Sequence, residues 1–267
     1  MSILHRLSFT LIGAGNIGRI LLKRLLDQGV PAEHLSMCDS DVKRAQLVAA
    51  EFGVRITTLD EAAACGADVL LLAVPPNAIS EVVRPIRELL RSGQLLISFA
   101  AGIPIAHLER LLPSGIAVVR VMPNAPSLVG EGMNPVAYDS AVSLEQRAIV
   151  EALLAALGAS LEVRDEQMNW CVGLSGAAMR SLLPALEGMT QAGIEAGLAP
   201  QDARRLAAQV MLGTASLVLH TELSFDEIKS LTPMQMVDEV AVASLYLNAA
   251  RSAMEKIERM QPKWIGE

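Results

Sequence analysis

The sequence predicts an α/β protein: a doubly wound parallel sheet over residues 1–163, followed by an all-α domain over 164–267. Three features point there. Short apolar runs at 8–12, 34–39, 54–57, 69–74, 95–99 and 116–122 alternate with helix-period segments, the pattern of strand–helix–strand units. The run "ADVLLLAVP" is continuously apolar, as a strand covered on both faces must be. From about Glu166 onward no convincing strand remains, and the chain turns to Ala-, Leu- and Met-rich helical segments.

Taken in order, the first run (SFTLI) stops at a glycine loop and gives way to helical periodicity from Asn16 to Gln28. The second, His34 to Asp39, leads through Ser40 into a helix ending near Gly53. After residue 133, "NPVAYDS" and "ASLEVR" predict two more strands flanking a helix over 143–157. The segments 166–196, 200–221, 224–229 and 234–260 are helical, punctuated by Pro200 and by Thr232-Pro233. The first of these helices is apolar round most of its surface and carries Gly173, Gly176, Gly188 and Gly193, with Gly197 just beyond. Small residues permit close helix contact, and a helix apolar on most sides is normally buried. A segment of roughly 100 residues has limited capacity to bury such helices alone. The expectation is a homodimer, or a higher homo-oligomer built from dimers; helices packed on the sheet of a monomer are the alternative.

Composition narrows the partners. Of 267 residues, 52% are hydrophobic and 19% charged, with a net charge of −7. An acidic chain argues against nucleic acid or an anionic membrane as partner, so an anionic cofactor needs a local binding device. Cys38, Cys65 and Cys171 are dispersed and odd in number, and the four histidines are equally scattered. Neither a disulfide framework nor a metal site is expected, and the cytoplasm is the expected compartment. The amino-terminal apolar run breaks at Gly13-Ala14-Gly15-Asn16 and Arg19, too early to insert into a membrane.

The local device is Gly13-Ala14-Gly15-Asn16-Ile17-Gly18, a GxGxxG run that follows a strand and opens a helix. That context is the Rossmann-type dinucleotide fingerprint, with Gly13 for the tight turn, Gly15 for approach to a pyrophosphate and Gly18 for helix–sheet contact. The helix amino end then offers N–H groups to the phosphates. Asp39 closes the next strand, where a carboxylate accepts from an adenosine ribose and repels a 2′-phosphate. NAD(P)H is expected, with NADH favoured; Lys43 and Arg44 either offset that repulsion or form a solvated helix face. Ala73-Val74-Pro75 and Ala100-Ala101-Gly102 end two further strands and leave room for a nicotinamide and its ribose. The stretch "RVMPNAPSLVGEGM" ends another, so its prolines are expected to fix Asn124 beside the nicotinamide.

That stretch also resembles a known family. Met122-Pro123-Asn124-Ala125-Pro126, with Gly130-Glu131-Gly132-Met133, closely resembles the pyrroline-5-carboxylate reductases, where the alanine is usually threonine. The fingerprint start, "AVPP", "AAGI" and "LAAQVMLGTASLVL" match the same family in the same order. The resemblance implies an NAD(P)H-dependent reductase of a cyclic imine, hydride passing to a pyrroline carboxylate to give proline. It also implies a Rossmann domain followed by a helical dimerisation domain.

The chain departs from the family in the helical half. Ser175-Gly176-Ala177-Ala178-Met179-Arg180 stands where members carry Ser-Gly-Ser-Gly-Pro-Ala. Thr232-Pro233-Met234-Gln235-Met236-Val237 replaces Ser-Pro-Gly-Gly-Thr-Thr, whose amides and hydroxyls hold the substrate carboxylate and imine nitrogen. Hydride transfer to an imine needs a hydrogen-bonded nitrogen and a fixed approach. Thr232, Gln235 and Arg180 are the catalytic-site candidates: Gln235 as donor to the nitrogen, Arg180 as a carboxylate anchor or else an interface salt bridge. Two other classes remain open, a non-catalytic cofactor-binding dimer and a β-hydroxyacid-type dehydrogenase. The absence of lysine from 166–196 counts against the second.

Overall fold

A computed structural model describes residues 2–64, 67–232 and 234–266; Cys65 and Pro233 lie outside the described residues. The chain divides into two compact units, residues 1–176 with 251–267, and residues 177–250.

The first unit is built on one eight-stranded sheet. Its elements run β1 (Phe9–Ile12), α1 (Asn16–Asp27), β2 (Leu35–Cys38), α2 (Val42–Phe52), β3 (Arg55–Ile56), α3 (Leu59–Ala64) and β4 (Val69–Leu72). Then follow α4 (Ile79–Ile86), β5 (Leu95–Ser98), α5 (Ile105–Leu111), β6 (Ala117–Val121), β7 (Gly132–Tyr138), α6 (Leu144–Leu157), β8 (Gly158–Glu162) and the short α7 (Met168–Cys171). Strand order is β3-β2-β1-β4-β5-β6-β7-β8. The order reverses direction at β1, which pairs with β2 on one side and β4 on the other, the switch point where such sheets open a ligand crevice.

Alternate strand residues feed two cores. Phe9, Leu11, Leu35, Met37, Val69, Leu71, Leu95 and Ile97 face α1, α2 and α6. Ile12, Cys38, Leu70, Leu72, Leu96 and Val118 face α4 and α5 on the other side. Burial on both faces is why these strands read as unbroken apolar runs. Local signals set the helix ends. Asp41 accepts from the Arg44 amide to start α2, Gly53 ends it at φ 68°, and Ser143 with Gln146 forms a capping box on α6.

The expected all-parallel sheet needs one correction. β7 runs antiparallel to β6, and β8 then pairs parallel to β7 across α6. Between β6 and β7 lie only residues 122–131, without room for the helical crossover a parallel pair requires. The proline-stiffened stretch after β6 is thus the turn that reverses the chain.

The second unit contains α8 (Ala178–Glu195), α9 (Pro200–His220), α10 (Phe225–Ser230) and the start of α11 (Glu239–Ile265), whose end belongs to the first unit. The helix expected over 166–196 is not continuous: Val172–Ala177 forms wide π-type turns between α7 and α8. Compactness therefore divides the chain at Gly176, beyond the end of the last strand where the sequence reading divided it at 163. Among the described residues, no helix is long and apolar enough to cross a membrane.

Candidate cofactor site

The glycine loop makes its turn for reasons that can be read atom by atom. Gly13 sits at φ 101°, and a Cβ there would lie 2.6 Å from the Ala73 carbonyl oxygen. A Cβ on Gly18 would lie 2.1 Å from the Gly13 oxygen and 3.0 Å from Leu11 Cδ2, so α1 approaches β1 only because Gly18 is bare. Gly15 differs: a Cβ there would meet nothing within 4 Å, and the residue lines an open cavity. Gly15 is also the N-cap of α1 and supplies no side-chain cap, so the first N–H groups of the helix are left for an anion.

The cavity has a volume of about 790 Å³, within the range of small-molecule and cofactor sites. It opens at the carboxyl ends of β1, β2 and β4. Gly13, Gly15, Asn16 and Ile17 line it from the loop, Asp39 from the end of β2, and Ala73, Val74 and Pro75 from the end of β4. Those eight expected residues are brought together. Ser40, Arg44, Thr57 and Thr58 also line it, as do Glu81 and Phe99. Ser40 and Arg44 carried a sequence signal, their place just after β2. Thr57 and Thr58 follow a two-residue edge strand too short to announce itself as a crevice edge.

The remaining expected residues do not line the cavity. Gly18 makes the helix–sheet contact expected of it. Ala100, Gly102 and Asn124 are not among the lining residues. Ala100 is buried in the core on the α4–α5 face. A Cβ on Gly102 would lie 2.7 Å from Trp264 Cζ3 and 2.8 Å from Ile257 Cγ2, so this glycine makes room for the end of α11. Asn124 stiffens its own loop: its Oδ1 accepts from the Met133 amide at 3.1 Å, and its Nδ2 points to the Ser175 carbonyl at 3.5 Å. Buried Ser127 and Asn134 continue the brace, Ser127 Oγ donating to Asn134 Oδ1 at 3.0 Å.

At the far end of β2, Asp39 is fully engaged. Burial alone would raise its carboxyl, but bonds from Arg44, Ala14 and Asp41 outweigh this and hold it below the usual carboxylate value. The neighbouring Cys38 thiol is pushed up to about 11 by burial and by Asp39, and so stays protonated at neutral pH.

Arg180, Thr232 and Gln235 belong to the second unit, and all three are exposed. Gln235 Nε2 points to the Val237 carbonyl at 3.4 Å. None of the three lines the cavity, whose walls are all from the first unit.

A family model described as "NADP oxidoreductase coenzyme F420-dependent" matches residues 8–102, and one described as "Pyrroline-5-carboxylate reductase dimerisation" matches residues 165–259. With the cavity under the glycine loop, these define the class: an NAD(P)-dependent oxidoreductase, a Rossmann domain followed by a helical dimerisation domain. The pyrroline-5-carboxylate reductase of Pseudomonas aeruginosa is 33% identical over 247 residues, 92% of this chain and 90% of that one. That of Haemophilus influenzae is 38% identical over 216 residues, covering 80% and 79%. The chain belongs to the pyrroline-5-carboxylate reductase family. Among solved structures, the Coxiella burnetii pyrroline-5-carboxylate reductase superposes with a TM-score of 0.80 at 25% identity, covering 95% of this chain and 98% of that one. The Plasmodium falciparum pyrroline carboxylate reductase with NADP bound shares the fold, with a TM-score of 0.83 at 23% identity over 97% and 99% of the two chains.

Proposed function

We propose that the chain is an NAD(P)H-dependent reductase acting on the C=N bond of a cyclic imine, either forming proline from pyrroline-5-carboxylate or reducing a bulkier relative of that imine. The observation that carries this reading is the cavity at the strand switch point, lined by Gly13, Gly15 and the uncapped start of α1. Reduced nicotinamide supplies the hydride. The chain's own residues do the rest of the work at this end. The amides of Asn16 and Ile17, at the uncapped start of α1, would hold a pyrophosphate, and Ala73, Val74 and Pro75 form a small, stiff wall. Phe99, 7% exposed, keeps water from the end of β5. A preference for NADH would rest on the Asp39 carboxylate, which already accepts from Arg44 and from the Ala14 and Asp41 amides.

Substrate contacts are assigned to the helical unit: Arg180 to the carboxylate, Gln235 and Thr232 to the imine nitrogen. Arg180 is exposed, and its guanidinium offers the fork that holds a carboxylate bidentately. Met234 and Met236, 72% and 80% exposed, replace the glycines and threonines of the family pattern. They favour a bulkier or less polar imine over the small carboxylated one. The protein is read as a cytoplasmic homodimer, on its dispersed cysteines and on the dimerisation-domain match. The test is oxidation of NADH and NADPH with a panel of cyclic imines, with and without a carboxylate. Turnover of any of them supports the reductase. Cofactor binding without turnover of any leaves the non-catalytic dimer.

A further inference from the structure

A dinucleotide site with an acidic residue at the end of its second strand normally offers that carboxylate to the ribose hydroxyls and excludes a 2′-phosphate. Asp39 cannot act that way as it stands. Its Oδ2 accepts from the Ala14 amide at 2.7 Å and from Arg44 Nε at 3.1 Å. Its Oδ1 accepts from the Asp41 amide and from Arg44 Nη2, each at 2.8 Å. An ionised carboxylate has about four acceptor positions. A ribose hydroxyl therefore enters only by displacing a bond already made.

The group presented to solvent here is the guanidinium. The Asp39 side chain is 5% exposed and that of Arg44 47%, and both residues line the cavity. We propose that Arg44 is the specificity-determining residue of this site and that it admits a 2′-phosphorylated adenosine, so that the chain binds NADPH in preference to NADH. Two Arg44 N–H groups hold Asp39, and the outer edge of the guanidinium keeps further donors in the planar fork that suits phosphate. The 2′-phosphate carries a charge of about −1.5 to −2 near neutral pH, and a bare carboxylate beside it would be prohibitive. With Arg44 at hydrogen-bond distance, that carboxylate is neutralised. Ser40 is exposed and lines the cavity next to Asp39, adding a hydroxyl. Thr57 and Thr58 line it as well, but Glu61 already engages both, through the Thr57 hydroxyl and the Thr58 amide. Lys43 does not line it. Asp39 becomes a positioning residue: it fixes Arg44 and, through Ala14, ties the end of β2 to the glycine loop.

The inference rests on the dinucleotide reading of the cavity, and ligands lacking the nicotinamide test the two apart. Calorimetry on the full chain would compare 2′,5′-ADP with 5′-AMP, which lacks only the 2′-phosphate. The wild type is expected to bind 2′,5′-ADP roughly tenfold or more tightly, the worth of one or more charged hydrogen bonds. Arg44→Met should bring the ratio to about one while 5′-AMP binding persists, and Arg44→Lys should retain part of it. Equal binding of the two nucleotides by the wild type, or an undiminished ratio in Arg44→Met, overturns the role of Arg44 and leaves the dinucleotide site standing. Binding of neither removes both.

Discussion

At the scale of single residues, three glycines in one motif do different work, and substitution separates them. Gly15 meets open cavity and has φ −71°, a conformation any residue adopts. Gly15→Ala should fold with unchanged stability but weaken NAD(P)H binding about tenfold, because the methyl stands where phosphate meets the helix amides. A Cβ on Gly18 would lie 2.1 Å from the Gly13 carbonyl oxygen, so Gly18→Ala should cost about 1–3 kcal/mol of stability. Urea denaturation and cofactor titration of both variants check this; the opposite pattern would mean the roles are reversed. Arg120 sets a second residue-scale test. It is 3% exposed at the end of β6, paired with Asp165, and its remaining Nη has no partner among the described residues. Burial lowers its pKa while Asp165 raises it. Asp165 also accepts from the Ile105 amide at 2.9 Å. Asp165→Ala leaves a buried, uncompensated cation and should destabilise the fold by about 3 kcal/mol, read as a fall in urea midpoint.

At the scale of elements, α8 and α9 lie close because Gly193 is bare. A Cβ there would stand 2.8 Å from the Ala203 Cβ, and Ala203 and Ala207 are the buried residues of α9. Gly193→Leu should force the pair apart, costing about 1–3 kcal/mol in chemical denaturation; no change would mean the helices have slack. The segment between α10 and α11 is the one we propose to govern substrate choice. Its family-like form carries glycines and threonines where this chain has Met234, Gln235 and Met236. Slow turnover of pyrroline-5-carboxylate relative to a bulkier cyclic imine is expected. Arg180→Met should raise KM at least tenfold for a carboxylated imine and leave an uncarboxylated one unchanged. Equal effects on both would withdraw the anchor role.

At the scale of the molecule, the helical unit leaves much of its apolar surface uncovered. Leu182, Leu183, Leu206, Val210, Leu217 and Leu245 are each between 38% and 64% exposed. Surface of that kind on several helices of one unit calls for a partner. The match to a dimerisation domain over residues 165–259 supports a second copy of the chain. Light scattering at micromolar concentration should give twice the chain mass. A stable monomer of 28.4 kDa would require the helices to find cover within one chain.

What the sequence determined by itself was whatever depends on neighbours along the chain. The continuous apolar runs, the helix caps, the glycine fingerprint and the family pattern at 120–133 all act within a few residues. They located the strands to within a few residues, the all-α second half and eight residues of the cavity wall. The antiparallel β7 was hidden because strand direction is set by how the chain returns, which composition does not record. Asn124 and Gly102 are read from the sequence as cofactor residues because they end strands at the crevice. The contacts they make in the folded chain, with the Met133 amide and with Trp264, were not legible there. The same holds at Asp39. A carboxylate after the second strand is legible in sequence, but whether it faces a ribose or is saturated by Arg44 depends on where the α2 side chain lies. Local chemistry nominates a residue for a site; the bonds it has already made in three dimensions decide what it can still offer a ligand.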